Sequence, residues 1–468
     1  MSPEKPPILI LMPDQLRADT LGCAGHPVIQ TPSVDRLASE GVRFANAHTA
    51  SPICMPSRAS FINALYPHNH SMWTNLGQMP PNQKTFFHHL QRAGYFTAHI
   101  GKSHYYVHGE FHMREKEPYM HARGLDYVHE TTGPWATVRT ESYMTDRWRQ
   151  LGLLETFRDD YGRRRSWARQ GRTPVWPSPL PEDEFPDSYV GRQAVGFVDK
   201  YREEKPLCLF VGFGGPHSPW DAPGRYATMY DPDHVPTSLP ANEPQPWNPP
   251  VTTDHGELHA MPGLSEKAIR CLRANYYGKV SLIDYWCGQI LAAFDRKGWL
   301  DDALIVFWSD HGEMAGDHQR LSKSVFYDAS VRIPLILRWP RRIEPGTQSA
   351  ALVSSIDVGP ALLEAVTDGE PDLGFGQSLW RALESPTHQH RDALFSEIAI
   401  RGHKNTMVCT EQYKYALDET GNGYFLVDVR DDPDERKNLI GHPDYRQIET
   451  EMRDRVLRFL METQLVLE

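Results

Sequence analysis

With 468 residues, 40% hydrophobic and 23% charged, the chain has the size and composition of a globular protein with one large domain and a smaller one. No apolar run approaches the length of a membrane span, and a formal net charge of −11 disfavours general attraction to nucleic acid or acidic membranes. The six cysteines (Cys23, Cys54, Cys208, Cys271, Cys287, Cys409) are scattered without a C-x-x-C pair, which argues against a disulfide framework and a zinc cage.

The first seven residues lack the apolar core and cleavage site of a signal peptide, so the expected location is cytoplasmic. Residues 8–12 read as a buried strand that ends at Asp14 and Gln15. A helix follows over 31–40, with Pro32 in its first turn and Gly41 after it. The run Ser51 to Ser60 places Cys54 at or just before a helix N-terminus, where free N–H groups and the dipole favour an anion. Arg58, one turn on, adds a bidentate guanidinium. After a helix over 85–92, a strand over 95–100 runs into Gly101-Lys102-Ser103-His104.

Residues 105–186 are rich in aromatics, arginine, proline and histidine, with weak periodicity. They read as an insertion that shapes a pocket or an oligomer contact. Its aromatics Tyr105, Tyr106, Phe111, Trp135 and Trp148 either line a sugar or aryl subsite or belong to the core. His104, His108 and His112 recur at helical spacing, yet no carboxylate or cysteine completes a metal set, and His108 and His112 are read as structural. Arg163-Arg164-Arg165 reads as solvated surface.

Further on, a helix over 187–203 precedes a strand over 207–211 that leads to Gly214-Gly215-Pro216-His217. Residues 226–264 read as a proline-rich loop, and 265–297 as a long amphipathic helix closing on Gly298. A strand over 303–308 runs into Ser309-Asp310-His311-Gly312-Glu313. Another strand, over 331–337, is preceded by Lys323, and a helix is predicted over 357–365. From about residue 391 the pattern becomes antiparallel, with strands over 406–410, 413–417 and 424–429 and a last helix over 445–461.

Four strand-like runs therefore end in polar residues: Asp14, Lys102 with His104, His217, and Asp310 with His311. Parallel strands of one doubly wound sheet bring such ends to a common edge, where folds of this class bind ligands. In an acidic protein an anionic substrate needs a local positive pocket, and this edge would supply one.

The motifs D-Q-L-R-A-D-T from Asp14, C-x-P-S-R from Cys54, G-K-x-H from Gly101, P-H-x-P from Pro216, S-D-H-G-E from Ser309 with G-D-H after it, R-I-P-L-I from Arg332, and F-L-V-D-V-x-D-D-P-D-E-x-x-N-L from Phe425 occur in the order of the sulfatase family, within the alkaline phosphatase superfamily. The chain resembles that family over most of its length, the insertion excepted. The resemblance implies an α/β fold: a large mixed, mostly parallel sheet sandwiched by helices, with a smaller C-terminal antiparallel sheet packed by a helix. The implied division is a catalytic domain over 1–385 and an α+β subdomain over 386–468.

The activity implied is hydrolysis of a sulfate monoester. Its nucleophile is formylglycine, made after translation from Cys54, and the ester passes through a covalent sulfo-enzyme intermediate. Carried over position by position, Asp14, the modified Cys54, Asp310 and His311 resemble the ligands of one divalent metal, calcium first, with magnesium or manganese as alternatives. Gln15 stands where many relatives have a second Asp, and His311 where they have Asn. This pattern resembles the choline-sulfatase and phosphonate monoester hydrolase branches, and Gln15 is taken as a substrate-side neighbour or a neutral ligand. Arg58 and Lys102 would hold the nucleophile and neutralise sulfate charge. His217 and Lys323 would contact the sulfate and protonate the departing alcohol, His104 would act as base, and Asn75 would contact substrate.

The partners implied are a small anionic sulfate ester and a formylglycine-generating maturation enzyme, without nucleic acid or membrane. The insertion and the proline-rich loop offer surfaces for a homo-oligomer. A nearby alternative is hydrolysis of phosphonate monoesters or phosphodiesters with the same nucleophile and metal. Lys102 and His104 speak against it, because that branch typically has Tyr and Thr at these positions. A thiolate hydrolase built on Cys54, His217 and an Asp is a third reading.

Overall fold

The computed structural model describes residues 5–240, 264–367, 373–384, 389–400 and 402–465. Eight strands make the main sheet: β1 (Ile8–Asp14), β2 (Val42–His48), β3 (Phe96–Lys102), β4 (Tyr127–Thr131), β5 (Leu207–Pro216), β6 (Leu304–Trp308), β7 (Leu335–Arg338) and β8 (Thr347–Ser354). Their order is β4-β3-β5-β1-β6-β7-β2-β8. Every pairing is parallel except those of β7, which runs antiparallel to β6 and to β2. A second sheet of β9 (Leu394–Ile400), β10 (His403–Cys409), β11 (Tyr413–Asp418) and β12 (Gly423–Asp428) is antiparallel, in the order β12-β11-β10-β9. The helix Arg446–Glu462 packs on it through Met452, Val456 and Phe459.

The alternation of a strand buried on both faces explains the layers. On β1, Ile8, Ile10 and Met12 join Met55, Ala59, Phe61 and Ile62 of the helix Cys54–Asn63 in one core. Leu9 and Leu11 face the other way, toward Leu272, Tyr276, Val280 and Ile283 of the long helix Glu266–Arg296. The Phe61 ring stacks 3.7 Å from Trp308 and locks the first of these helices onto β6. Within the sheet, Ile8 stands level with Cys208 on β5 and Leu304 on β6, and Thr97 on β3 with Cys208. The four strand ends singled out from sequence thus lie side by side, as expected.

Elsewhere the structure corrects the sequence reading. The segment 105–186 is not uniformly irregular. It contributes β4 to the main sheet, paired with β3, and three helices, Glu117–His121, Tyr143–Gln150 and Leu154–Arg169. Of its aromatics, Tyr105, Tyr106 and Trp148 are buried core, Phe111 packs against the core, and Trp135 stays partly exposed. Arg164 is no surface charge: it is buried against Asp160 and lies 4.3 Å from the Trp176 ring centre. The stretch 331–337 splits into a short helix, Asp328–Val331, and β7. Of the proline-rich loop over 226–264, residues 241–263 lie outside the described residues. Among the described residues no helix is long and apolar enough to cross a membrane.

Candidate active site

Cys54 begins its helix, with extended backbone at Ile53 before it, and the whole first turn is buried. The Asn75 side-chain oxygen accepts from Met55 N at 3.0 Å, so it satisfies one of the free N–H groups of that terminus. Ser57 Oγ donates to the Asp310 carbonyl at 2.6 Å and ties the helix to the loop after β6. Arg58, only 1% exposed, spans the strand ends: Nε donates to Asp310 Oδ2 at 2.8 Å, Nη2 to Asp14 Oδ2 at 2.7 Å, and Nη1 to the Lys102 carbonyl at 2.8 Å. Lys102 Nζ also donates to Asp14 Oδ2.

Each carboxylate turns its other oxygen toward the space beside Cys54, although Asp310 Oδ1 also accepts from Gln15 N and His311 N, each at 3.0 Å. Asp14 Oδ1 is 3.9 Å from Cys54 Sγ, and Asp310 Oδ1 is 3.7 Å from His311 Nε2. His311 Nδ1 faces the Gly312 carbonyl at 3.0 Å; a carbonyl only accepts, so Nδ1 carries the proton. Nε2 is left to face Cys54 Sγ at 3.1 Å. One ligand atom from each of Asp14, Cys54, Asp310 and His311 lies within 4.8 Å of all the others, and all four residues are buried. Two carboxylate oxygens and an imidazole nitrogen suit a hard divalent cation, and an oxygen in place of the thiol would complete such a set.

The electrostatics agree with this arrangement. Burial alone would raise the Asp14 pKa, but Lys102 and Arg58 hold it well below the carboxylate range. Burial and Asp14 push the Cys54 thiol up; Lys323, Lys102 and His311 outweigh them and bring it below its ordinary value. Burial lowers His311, and the neighbouring Asp310 and Cys54 more than reverse that.

On the other side of Cys54, His217 Nδ1 donates to the Ser218 carbonyl at 2.7 Å, and Nε2 lies 2.7 Å from Lys323 Nζ. Burial, then Lys323, keeps the imidazole neutral with its pKa well below the usual value. With Nδ1 donating to the Ser218 carbonyl, Nε2 accepts in the contact with Lys323, and Nζ is the donor. Lys323 also donates to Gln15 Oε1, while Gln15 Nε2 donates to Glu313. Gln15, in the left-handed region at φ 69°, is thus engaged between Lys323 and Glu313, and its carbonyl oxygen is already used. His104 has φ 58°, stacks on His108 with ring centres 4.6 Å apart, and is held neutral by burial, His108 and Lys102. His112 bonds Asp146, away from this group.

The sulfatase family model matches residues 6–368, and that of the N-sulphoglucosamine sulphohydrolase C-terminal region matches residues 316–462. The chain belongs to the sulfatase family. An arylsulfatase of Clostridium perfringens is 28% identical over 455 residues, which is 95% of this chain and 92% of that protein. A choline-sulfatase of Rhizobium meliloti is 29% identical over 379 residues, covering 78% and 68%. The crystal structure of a phosphonate monoester hydrolase of Agrobacterium radiobacter superposes with a TM-score of 0.80 at 24% identity, over 98% of this chain and 96% of that one. The sulfatase is a sulfuric ester hydrolase with an alkaline phosphatase-like fold.

Two residues with structural weight at the site were not singled out from sequence. Glu313 appeared only inside a motif, but it is buried and accepts from Gln15 Nε2, from Ala315 N at 2.9 Å and from Ser322 N. Gly133 passes so close to Lys102 that an added Cβ would sit 2.8 Å from Nζ. An isolated glycine inside a weakly patterned segment gives no signal of such an approach.

Proposed function

We propose that this sulfatase hydrolyses small sulfate monoesters, arylsulfatase-like, with a formylglycine derived from Cys54 as nucleophile. The observation that supports this most is the setting of Cys54: a helix N-terminus, hard oxygen donors on one side, and Arg58, Lys102 and Lys323 around it. A soft thiolate matches those donors poorly, whereas a geminal diol oxygen at the same position matches them well. Asp14, Asp310, His311 and position 54 would hold a divalent cation, which when bound would supply positive charge to the nucleophile and the sulfate group.

The remaining steps fall to the chain itself. Arg58 and Lys102 orient position 54 through their bonds to Asp14 and Asp310 and offset charge that grows in the transition state. A hydroxyl of residue 54 gives up its proton to solvent and forms a bond to sulfur, the bond from sulfur to the alcohol oxygen breaks, and the Lys323–His217 pair delivers the Nζ proton to that departing oxygen. Neutral His104 accepts a proton from the second hydroxyl, which releases sulfate and restores the aldehyde. Asn75 and Gln15 act by positioning: Asn75 holds the helix terminus, and Gln15 holds Lys323 in line.

Maturation requires an enzyme that oxidises Cys54. A panel of aryl and alkyl sulfates, phosphate esters and phosphonate monoesters tests the proposal, with Cys54→Ala as control. Sulfate esters are expected to give the largest kcat/KM, and the variant is expected to be inactive on all. A phosphonate monoester or phosphodiester at the head of the panel would move the assignment to that branch, and an active Cys54→Ala would end it.

A further inference from the structure

The long helix Glu266–Arg296 carries a lysine, Lys279, that is completely buried and lies behind the strand ends. An ammonium out of water needs all three of its donors matched. Lys279 Nζ has three acceptors: the His217 carbonyl at 2.7 Å, the Pro219 carbonyl at 3.0 Å and Asp221 Oδ1 at 2.9 Å. Its charge partner Asp221 is 1% exposed, and Asp221 Oδ2 accepts from Tyr161 OH at 2.7 Å. Tyr161 belongs to the helix Leu154–Arg169 of the 105–186 segment and is packed among Phe157, Trp148 and Leu180.

The neighbouring turns of the long helix act on the same strap. Asn275 Oδ1 accepts from Ala222 N at 3.0 Å, and Gly278 brings the helix against the Tyr226 carbonyl, where a Cβ would stand at 2.0 Å. At the near end, Asp187 Oδ1 accepts from Gly214 N and Gly215 N, each at 2.9 Å. The chain from Gly214 to Tyr226 is thus fixed at several points; the backbone of His217 itself is held at its N–H, which donates to the Asp14 carbonyl at 3.2 Å, and at its carbonyl by the Lys279 side chain.

We propose that Lys279, anchored through Asp221 to Tyr161, is the positioning residue for His217, and that the 105–186 segment serves the reaction through this link. The inference rests on the role given above to the Lys323–His217 pair. With the His217 carbonyl held from behind and Nδ1 bonded to the Ser218 carbonyl, ring translation and rotation are both set, and Nε2 meets Lys323 at 2.7 Å. Without Lys279 two buried carbonyls and Asp221 Oδ1 lose this donor, and the strap must shift to find others. Proton delivery would then suffer more than attack on sulfur, because position 54, Arg58 and Lys102 are held by other bonds.

Leaving-group dependence separates this from a general loss of structure. A poor leaving group such as a simple alkyl alcohol needs the proton in the transition state, whereas 4-nitrophenolate leaves with little help. Lys279→Gln, Tyr161→Phe and His217→Ala are compared on an alkyl sulfate and on 4-nitrophenyl sulfate, with rates normalised to formylglycine content measured by mass spectrometry. Tyr161→Phe removes a single hydroxyl and keeps the question answerable if Lys279→Gln folds poorly. The expected result is a loss of about tenfold or more on the alkyl ester and about threefold or less on the aryl ester for Lys279→Gln, with the same tilt, smaller, for Tyr161→Phe. Equal losses on both esters in these two variants, beside a selective loss in His217→Ala, would overturn the link alone. Equal losses in His217→Ala as well would overturn the acid assignment, and the link with it.

Discussion

Arg58→Met is the most informative single perturbation of the site. Arg58 is 1% exposed and bonds two carboxylates that are themselves wholly buried, Asp14 and Asp310. Methionine fills much of the same volume but leaves Asp310 without its guanidinium, while Asp14 retains Lys102. Removing one partner of a buried ion pair costs about 3–5 kcal/mol. Unfolding entropy of about 2.1 cal/mol/K per residue, over 468 residues, is about 1 kcal/mol/K, so the loss corresponds to a Tm drop of about 3–5 °C in chelator. If the proposed divalent cation is held by the same carboxylates, calcium should raise the variant's Tm by more than it raises that of the parent. At a hundredfold excess over Kd the ordinary mass-action gain is about 2.7 kcal/mol, and the variant should exceed it. Thermal scans of both proteins in EDTA and in calcium measure this directly. A variant that melts with the parent in EDTA, or gains no more from calcium, would refute the view that Arg58 balances charge at a cation site.

Further outcomes follow from the same geometry. Gly133→Ala puts a methyl 2.8 Å from Lys102 Nζ, the far end of a flexible side chain that is bonded to Asp14. As Lys102 is displaced from Asp14, kcat/KM should fall by about tenfold or more, with a stability loss smaller than that of Arg58→Met because Arg58 still bonds Asp14; unchanged kinetics would contradict this. Glu130, buried against Ser103 and the Tyr106 hydroxyl, has its pKa raised by burial from 4.5 to about 7. The folded state thus holds that proton more tightly than the unfolded chain, so its contribution is present below pH 4.5 and is lost as pH rises through 7. Glu130→Gln should remove about 3 kcal/mol of that fall, read as urea midpoints at pH 5 and pH 8; an unchanged pH dependence would refute it. Exhaustive chelation of the matured enzyme should lower kcat by about a hundredfold or more, with recovery on adding calcium, magnesium or manganese. Full activity in chelator would remove the cation from the proposal.

Much of this arrangement was readable before the fold was known, and the reasons are physical. The runs at β1, β5 and β6 are apolar because the strands are covered on both faces, β3 is broken only by buried Thr97 and His99, and each run leads to a polar side chain at the open edge. The strands at and next to the ends of the sheet gave weaker signals. In β2 and β4, half-exposed residues such as Arg43, Asn46 and His129 interrupt the apolar pattern, and the polar residues of β8 do the same. Arg164 misled for a related reason: three consecutive arginines look solvated, but on a helix the middle one points elsewhere, here into Asp160 and Trp176. Lys279 could not be seen at all as part of the site. It sits in a helix whose neighbours are core, and only the tertiary approach of residues 217–221 turns one lysine into an anchor.

The central claim is that Cys54 is the precursor of the reactive group and not the group itself. Mass spectrometry of the peptide Phe44 to Arg58, taken from a preparation whose specific activity is measured in parallel, tests it most directly. Formylglycine content at position 54 is predicted to track specific activity across preparations, with the aldehyde trapped by a hydrazide reagent. Full activity in a preparation where residue 54 is wholly unmodified thiol would contradict it.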